Sequence, residues 1–190
     1  MVGLSIIMLG LLLGAHGKQF AATGGAIAIY SFVTIGHIAD QDNWFFTIIL
    51  FLHLLVAALW IGILTPLRRL ASEENSLDAA AQLGERFGAF ATVIVPVLII
   101  VGMIMTWRLV GSLNALVHTT YGLALLSKFA VVAILLSLAA FNKLRLVPAM
   151  LNGDFNASQR LSRSIQLEWI AVSLILLVTA ILTSVVTLPI

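Results

Sequence analysis

The chain has 190 residues, of which 61% are hydrophobic and only 9% are charged, with a formal net charge of +2. Soluble domains average about 25% charged residues, so this composition excludes an ordinary soluble enzyme, a nucleic-acid-binding protein and a disordered chain. The sequence has no cysteine, which excludes disulfides, thiolate metal sites and thiol nucleophiles. The composition therefore predicts a polytopic membrane protein.

Apolar segments along the chain predict an all-α transmembrane bundle of about six helices, because each span needs about 20 mostly apolar residues. In chain order the predicted spans are Val2–Ala15, Phe20–Ile38, Trp44–Leu67, Phe87–Trp107, Tyr121–Phe141 and Ile165–Leu188. The first is shorter than the other five and is interpreted as a short first helix. The sequence has no repeat, linker or low-complexity segment, so residues 1–190 are predicted to form a single domain.

The loops between these segments carry an uneven distribution of basic residues. One side of the predicted bundle holds Arg68, Arg69, Arg86, Lys143, Arg145, Arg160 and Arg163, whereas the other side holds Arg108. Cytoplasmic loops are enriched in Lys and Arg. The basic loops are therefore predicted to be cytoplasmic, with both chain termini directed outward. The alternative interpretation of these basic residues is that they only set the topology and have no further function.

Few ionisable side chains fall within the predicted spans, and each is a candidate functional residue because charge in hydrocarbon is costly. His53 lies about 13 Å below the outer surface at 1.5 Å per helical residue, and Trp60 follows two turns later on the same face. Lys128 lies about 10 Å deep from that side. His37 ends the second span at the outer surface. The alternatives are a hydrogen bond to a neighbouring helix for the histidines and snorkelling for Lys128.

Two methionines, Met103 and Met105, lie near the outer end of the fourth span. Thioether and imidazole ligands suit copper, Cu(I) especially, whereas Mg²⁺ and Ca²⁺ prefer oxygen. Residues two positions apart point about 200° from each other on a helix, so only one of these methionines faces any single site; the alternative for both is packing. The only carboxylate inside a span is Glu168, near its cytoplasmic end, where capping or pairing with Arg163 is expected.

Several sequence blocks resemble the copper-resistance D (CopD) family of bacterial inner-membrane proteins, from about His37 to the C-terminus. They are GHIAD from Gly36, LHLLVAALWIG from Leu52, ERFG from Glu85, TTYGLALLSK from Thr119, FNKLRLVP from Phe141 and RLSRSIQLEW from Arg160. By this resemblance, residues 39–190 form a CopD-like four-helix core, preceded by two less typical helices in residues 1–38. His37, His53, Trp60 and Lys128 match family positions; the methionines rest on ligand chemistry alone.

The resemblance implies a protein of the bacterial inner membrane that transports copper, beside a periplasmic copper-binding partner of the CopC type, and that is not an enzyme. We expect copper capture near His37, where Asp40 and Asp42 attract cations, and then transfer to His53 with a thioether from Met103 or Met105. Trp60 is expected to line the path. Lys128 is expected to stand beside the site as an electrostatic gate.

A second family shares part of this pattern. Histidine, tryptophan and glycine on one helix, with an intramembrane lysine later in the chain, also resemble the HemJ-type protoporphyrinogen oxidases. A b-type haem needs axial imidazoles on facing helices, which His37 and His53 are candidates to supply. The alternative function is thus a haem-binding membrane oxidoreductase. A third class, a structural or regulatory subunit, binds neither metal nor haem.

Overall fold

A computed structural model describes residues 2–13, 17–33 and 44–184, and it is helical, with no β-strand in those ranges. The α-helices are α1 (Val2–Leu12), α2 (Lys18–Val33), α3 (Trp44–Ser72), α4 (Leu77–Val110), α5 (Leu113–His118), α6 (Thr120–Phe141), α7 (Val147–Leu151) and α8 (Phe155–Ser184). A short 3-10 turn, Glu74–Ser76, joins α3 to α4, and a π-helical segment, Asn142–Leu146, joins α6 to α7. The predicted all-α membrane helix bundle is confirmed.

Within the described residues, four helices are long and apolar enough to cross a membrane. They are Trp44–Ser72, Leu77–Val110, Thr120–Leu151 and Phe155–Ser184. The described helices at the first two predicted spans have 11 and 16 residues, below the minimum of about 17 for a span. The described helices therefore supply four spans of the six predicted from the apolar segments.

The chain divides into two compact units, Met1–Ala58 and Leu59–Ile190. In the first unit, α1 packs on α2 through glycines. A Cβ added at Gly3 would lie 2.7 Å from the backbone nitrogen of Ala28, and one at Gly10 would lie 2.5 Å from that of Ala21. Only glycine allows two helix backbones to approach this closely, as small residues do in membrane helix pairs generally.

Helices α4 and α8 begin well before the apolar segments that predicted them. Helix α4 starts at Leu77 rather than Phe87, and α8 starts at Phe155 rather than Ile165. Hydropathy detects only the lipid-crossing part of a helix, so it misses polar turns that continue beyond the membrane. These added turns are packed: Ala80, Ala81, Ala157 and Leu161 are all buried.

The buried core of the second unit lies where these added turns meet the end of α3. Its most buried members include Leu64, Ala71, Met150, Leu161 and Ile165, each at most 1% exposed. The Ser158 hydroxyl donates a 2.6 Å hydrogen bond to the Ala71 carbonyl within this core. The core thereby fixes α3 against α8 at the end of the bundle formed by residues 68–86 and 142–163, here called the basic end.

The π-helical segment sets the direction of the chain at the basic end. The Val147 N–H bonds to the carbonyl of Asn142, five residues back, in place of the usual four. Such a turn accommodates one extra residue, and π-turns of this kind occur frequently at functional sites. Asn142 and Leu146 are buried as a result. The chain then turns at Gly153, whose φ of 85° requires glycine.

Candidate functional site

The second unit contains a cavity of about 350 Å³ between α3, α4, α6, the π-helical segment and α8. Most of its wall is apolar, with Leu64, Phe87 and Val95 among the lining residues. Four polar side chains also line it: Thr92, Asn142, Lys143 and Glu168. A cavity with few, convergent polar groups in an apolar wall is the usual form of a small-ligand site.

The central polar contact of this cavity joins α8 to the π-helical segment. The Nδ2 group of Asn142 donates a 2.6 Å hydrogen bond to Oε1 of Glu168. Both residues are buried, with 6% and 3% of their surface exposed. Buried carboxyl groups are costly unless they are hydrogen-bonded. The Oδ1 atom of Asn142 has no hydrogen-bond partner among the described residues, so an oxygen acceptor remains available beside the carboxyl group.

Trp60 forms the α3 wall of the cavity and is 8% exposed. Its ring packs edge-on against Phe87, with centroids 5.1 Å apart and planes at 77°. The indole also interacts with the Glu168 carboxyl group, although its nitrogen does not meet the geometry of a hydrogen bond. Trp60 and Phe87 thus limit the space in front of the Glu168 carboxyl group, and the indole N–H is a polar group on that side of the cavity.

Lys143 brings a cationic group to the same cavity. Its ammonium donates to the Thr92 hydroxyl on α4, and that hydroxyl in turn donates to the Gly88 carbonyl at 2.7 Å. The lysine stem crosses Gly88, where an added Cβ would lie 2.9 Å from the lysine Cγ. Pro96, also in the wall, has no N–H to donate to the Thr92 carbonyl four residues earlier. Helix α4 therefore contributes hydroxyl and carbonyl oxygens near the lysine.

The cavity combines one carboxyl group, amide and hydroxyl oxygens, one ammonium group and an indole ring. It contains no imidazole, thiol or thioether among its lining residues. Oxygen groups of this kind attract cations but hold soft metals weakly, because Cu(I) prefers sulfur and nitrogen. The lining of this cavity is thus poorly suited to permanent binding of a soft metal ion.

The residues predicted from the sequence are dispersed. His37, Asp40 and Asp42 lie outside the described residues. His53 is half-buried in the part of α3 that belongs to the first unit. Among the described ranges, no group of three or more His, Cys, Asp or Glu residues is placed to hold a metal ion. The predicted copper ligands therefore stay a prediction.

The candidates in the second unit differ in burial. Met103 is 57% exposed, whereas Met105 is 9% exposed, as expected for residues two positions apart on a helix. Lys128 is half-buried on α6. Trp60 is the one predicted site residue that lines the cavity within the described chain. Trp60 was predicted from its spacing to His53 on one helix, and no sequence pattern linked Trp60 to Glu168.

The sequence drew attention to Glu168 but not to its partner. The sequence predicts a cap or a partner for Arg163, yet in the described part of the chain no ion pair joins Glu168 to Arg163, and the carboxyl group bonds to Asn142. Asn142 and Lys143 stand together at the end of an apolar segment, where polar residues are usual and indicate nothing special. The one available signal was Glu168 itself, a carboxyl group inside a span.

Comparison with known proteins gives two matches. The model of a family described as "Copper resistance protein D" (CopD) matches residues 81–182, a range that includes Thr92, Asn142, Lys143 and Glu168. The "Copper transport protein CutJ" of Bacillus subtilis (strain 168) is 29% identical over 187 residues, which is 97% of this chain and 30% of that protein. The chain thus spans less than a third of this relative's length. No solved structure matches.

Proposed function

Because this chain belongs to the copper-resistance D family, we propose that it conducts copper ions across the cytoplasmic membrane of a bacterium and is not an enzyme. The observation that carries the proposal is the buried Glu168–Asn142 pair inside the cavity of a membrane-spanning unit. An ionisable group within a membrane-spanning helix is by default a candidate for a functional site, such as an ion pathway.

The physical basis is the cost of moving a cation through hydrocarbon. An ion that leaves water must exchange its hydration shell for protein groups, and conduction requires that these groups hold it weakly enough to release it. The Glu168 carboxyl group supplies opposite charge, and the Asn142 Oδ1 and Thr92 oxygens supply dipoles. The volume of about 350 Å³ is several times the roughly 30 Å³ that one water occupies in the liquid, so a partly hydrated ion fits.

The predicted soft ligands complete the proposal at the outward end of the path. The proposed ligands that capture copper are His37, His53 and one methionine thioether. Cu(I) is the oxidation state that such ligands suit best. The burial of Met105 supports its selection over the exposed Met103. Asp40 and Asp42 attract the cation, and Lys128 acts as the gate. A periplasmic CopC-type protein is the proposed donor or acceptor, and the basic loops face the cytoplasm.

Lys143 has a role in this proposal that the sequence did not indicate. An ammonium group beside a cation path repels the cation, and here it is held against Thr92 on the cavity wall. Coulomb repulsion between unit charges 4 Å apart is about 4 kcal/mol at an effective dielectric constant of 20. Lys143 therefore opposes the attraction of the Glu168 carboxyl group for the ion and favours its release.

Copper flux into vesicles tests the proposal. The purified full-length chain is reconstituted into liposomes that enclose a copper-responsive dye, and uptake is followed after addition of Cu(I) or Cu(II). We expect uptake above that of protein-free liposomes and at least a tenfold lower rate in Glu168→Gln. The matched control is Glu85→Gln, the same change at an exposed position of α4, which leaves the rate unchanged.

Two results would overturn this proposal. One is a wild-type uptake rate in a correctly folded Glu168→Gln protein. The other is a purified protein that contains haem, with a Soret absorption band that disappears in His53→Ala, because that result supports the oxidoreductase alternative instead. A protein with neither flux nor bound haem or copper would indicate the structural or regulatory class.

A further inference from the structure

A second, smaller cavity of about 210 Å³ lies at the basic end of the second unit. Its lining residues are Thr65, Arg68, Arg69, Ser72 and Trp169. The first four are spaced three, one and three residues apart, so they form one strip along the last two turns of α3. Trp169 closes the cavity from α8.

The two cavities share no lining residue, so this one is a separate site.

The charge in this smaller cavity is positive. Arg68 and Arg69 are both exposed, and Arg68 forms no ion pair within the described part of the chain. The Nε group of Arg69 bonds to Oε1 of Glu73 at 3.2 Å, but the arginine side chain is 82% exposed. Exposed pairs of this kind contribute little to stability, so an anion in the cavity readily competes with Glu73 for that guanidinium group.

The walls of the cavity are fixed by contacts between α3 and α8. The hydroxyl groups of Ser72 and Ser162 lie 2.8 Å apart and share a hydrogen bond, and Ser72 also contacts the Arg68 carbonyl at 2.9 Å. Trp169 packs against the buried core. The Ser72 hydroxyl group and the Trp169 ring are therefore held in the cavity wall before any ligand binds, beside the two exposed arginine side chains.

These groups match the chemistry of a phosphate ester. Guanidinium groups bind phosphate oxygens through paired, charge-assisted hydrogen bonds, and the Thr65 hydroxyl adds a further donor. Trp169, which closes the cavity, is followed on the membrane-spanning helix α8 by Ile170, an apolar residue that is 58% exposed. Basic pockets between membrane helices bind anionic lipid headgroups, and Trp is enriched at the membrane–water interface.

We propose that this cavity binds the phosphate of an anionic phospholipid headgroup, with Arg68 and Arg69 as its charged ligands and Trp169 against the glycerol region. The exposed apolar surface beside the cavity favours a lipid over free phosphate, because acyl chains cover that surface while the headgroup occupies the basic pocket. This site is independent of copper conduction, and its ligand is expected to stabilise the α3–α8 contact.

Lipid binding to the purified full-length protein tests this proposal. The protein in neutral detergent is titrated with dioleoylphosphatidylglycerol or, for comparison, dioleoylphosphatidylcholine, and bound lipid is counted by native mass spectrometry. We expect preferential binding of the anionic lipid and at least a tenfold weaker affinity in the double variant Arg68→Gln/Arg69→Gln. The matched control, Arg145→Gln/Arg160→Gln, removes the same charge at exposed positions of the basic end and changes affinity less than twofold.

Three outcomes overturn the proposal. Equal losses in the two double variants indicate a general electrostatic attraction, and equal binding of both lipids indicates no headgroup recognition. Glycerol phosphate that displaces the anionic lipid at a similar concentration identifies free phosphate as the ligand. If the glutamine variant does not fold, Arg68→Lys/Arg69→Lys keeps the charge but not the paired donors; a loss of threefold or more supports the proposal, and wild-type affinity contradicts it.

Discussion

The amide group of Asn142 donates a 2.6 Å hydrogen bond to the carboxyl group of Glu168, and both side chains are buried between membrane-spanning helices. The two residues are 26 positions apart, so the contact exists only because the chain reverses direction at Gly153. This single bond links the π-helical segment to α8 and holds the cavity's one carboxyl group in place.

Removal of the Asn142 amide is expected to destabilise the protein. In Asn142→Ala the buried Glu168 oxygen loses its donor, and an unsatisfied buried group costs about 1–3 kcal/mol. Denaturant unfolding in detergent, followed by circular dichroism, measures the change. The control Asn114→Ala alters an exposed residue of α5 and is expected to have little effect; equal stability of the two variants would contradict this prediction.

Substitution of Gly88 by alanine is expected to disturb Lys143. The new methyl group would lie 2.9 Å from the lysine Cγ, so the stem must shift and the contact with Thr92 weakens. Gly102→Ala on the same helix is the control, because an added Cβ there meets nothing within 4 Å and alanine favours a helix by about 1 kcal/mol over glycine.

We therefore expect Gly102→Ala to raise the unfolding free energy and Gly88→Ala to raise it less or lower it. Copper flux into liposomes should fall in Gly88→Ala and stay at the wild-type rate in Gly102→Ala. A Gly88→Ala protein with unchanged flux and the full alanine gain in stability would show that the position of Lys143 is unimportant.

Loss of the Ser158 hydroxyl is expected to weaken the contact between α3 and α8. This hydroxyl bonds to the Ala71 carbonyl, 87 positions away and buried, so Ser158→Ala should cost about 0.5–1.5 kcal/mol, the usual net value of one hydrogen bond. Ser173→Ala is the control, because its exposed hydroxyl bonds only to the Trp169 carbonyl of its own helix. Thermal unfolding in detergent compares the two variants, and similar midpoints would be evidence against a structural role for Ser158.

The two methionines near the end of α4 should differ as copper ligands. Met105 is 9% exposed and Met103 is 57% exposed, so Met105→Leu is expected to lower the Cu(I) retained by the purified protein at least fivefold, while Met103→Leu leaves it unchanged. Elemental analysis after desalting measures the copper content. Equal retention in both variants would remove thioether ligation from the proposed capture site.

The fold was predicted well where apolar residues dominate. The four spans that begin near Trp44, Phe87, Tyr121 and Ile165 are all helical, because long apolar runs have one stable form in a bilayer. The polar turns at the start of α4 and α8 were missed. Their residues are polar on one side and small or apolar on the other, as with Ala80 and Ala157, and only packing against a partner reveals that second side.

The candidate site was predicted less well than the fold, because its two central residues, Asn142 and Glu168, are 26 positions apart in the sequence. Glu168 was identified as unusual because a carboxyl group inside a span is unusual by itself. Its partner Asn142 follows Phe141 at the end of an apolar segment, where an asparagine carries no signal. The bond between them depends on the turn at Gly153 and on the π-helical segment, neither of which is specified by hydropathy.

The π-helical segment has a consequence for the length of the chain. An α-helix turns by about 100° per residue, and the π-helical segment absorbs one residue more than ordinary α-helical bonding would hold. Deletion of one residue from 143–146 would therefore restore α-helical bonding and leave Asn142 and the fully buried Met150 near their present directions. Deletion of one residue within α6 would instead rotate both side chains by about 100° relative to the start of that helix. The direction of the amide toward its carboxyl partner thus depends on the length of α6, whereas the extra residue of the π-helical segment is a tolerated insertion.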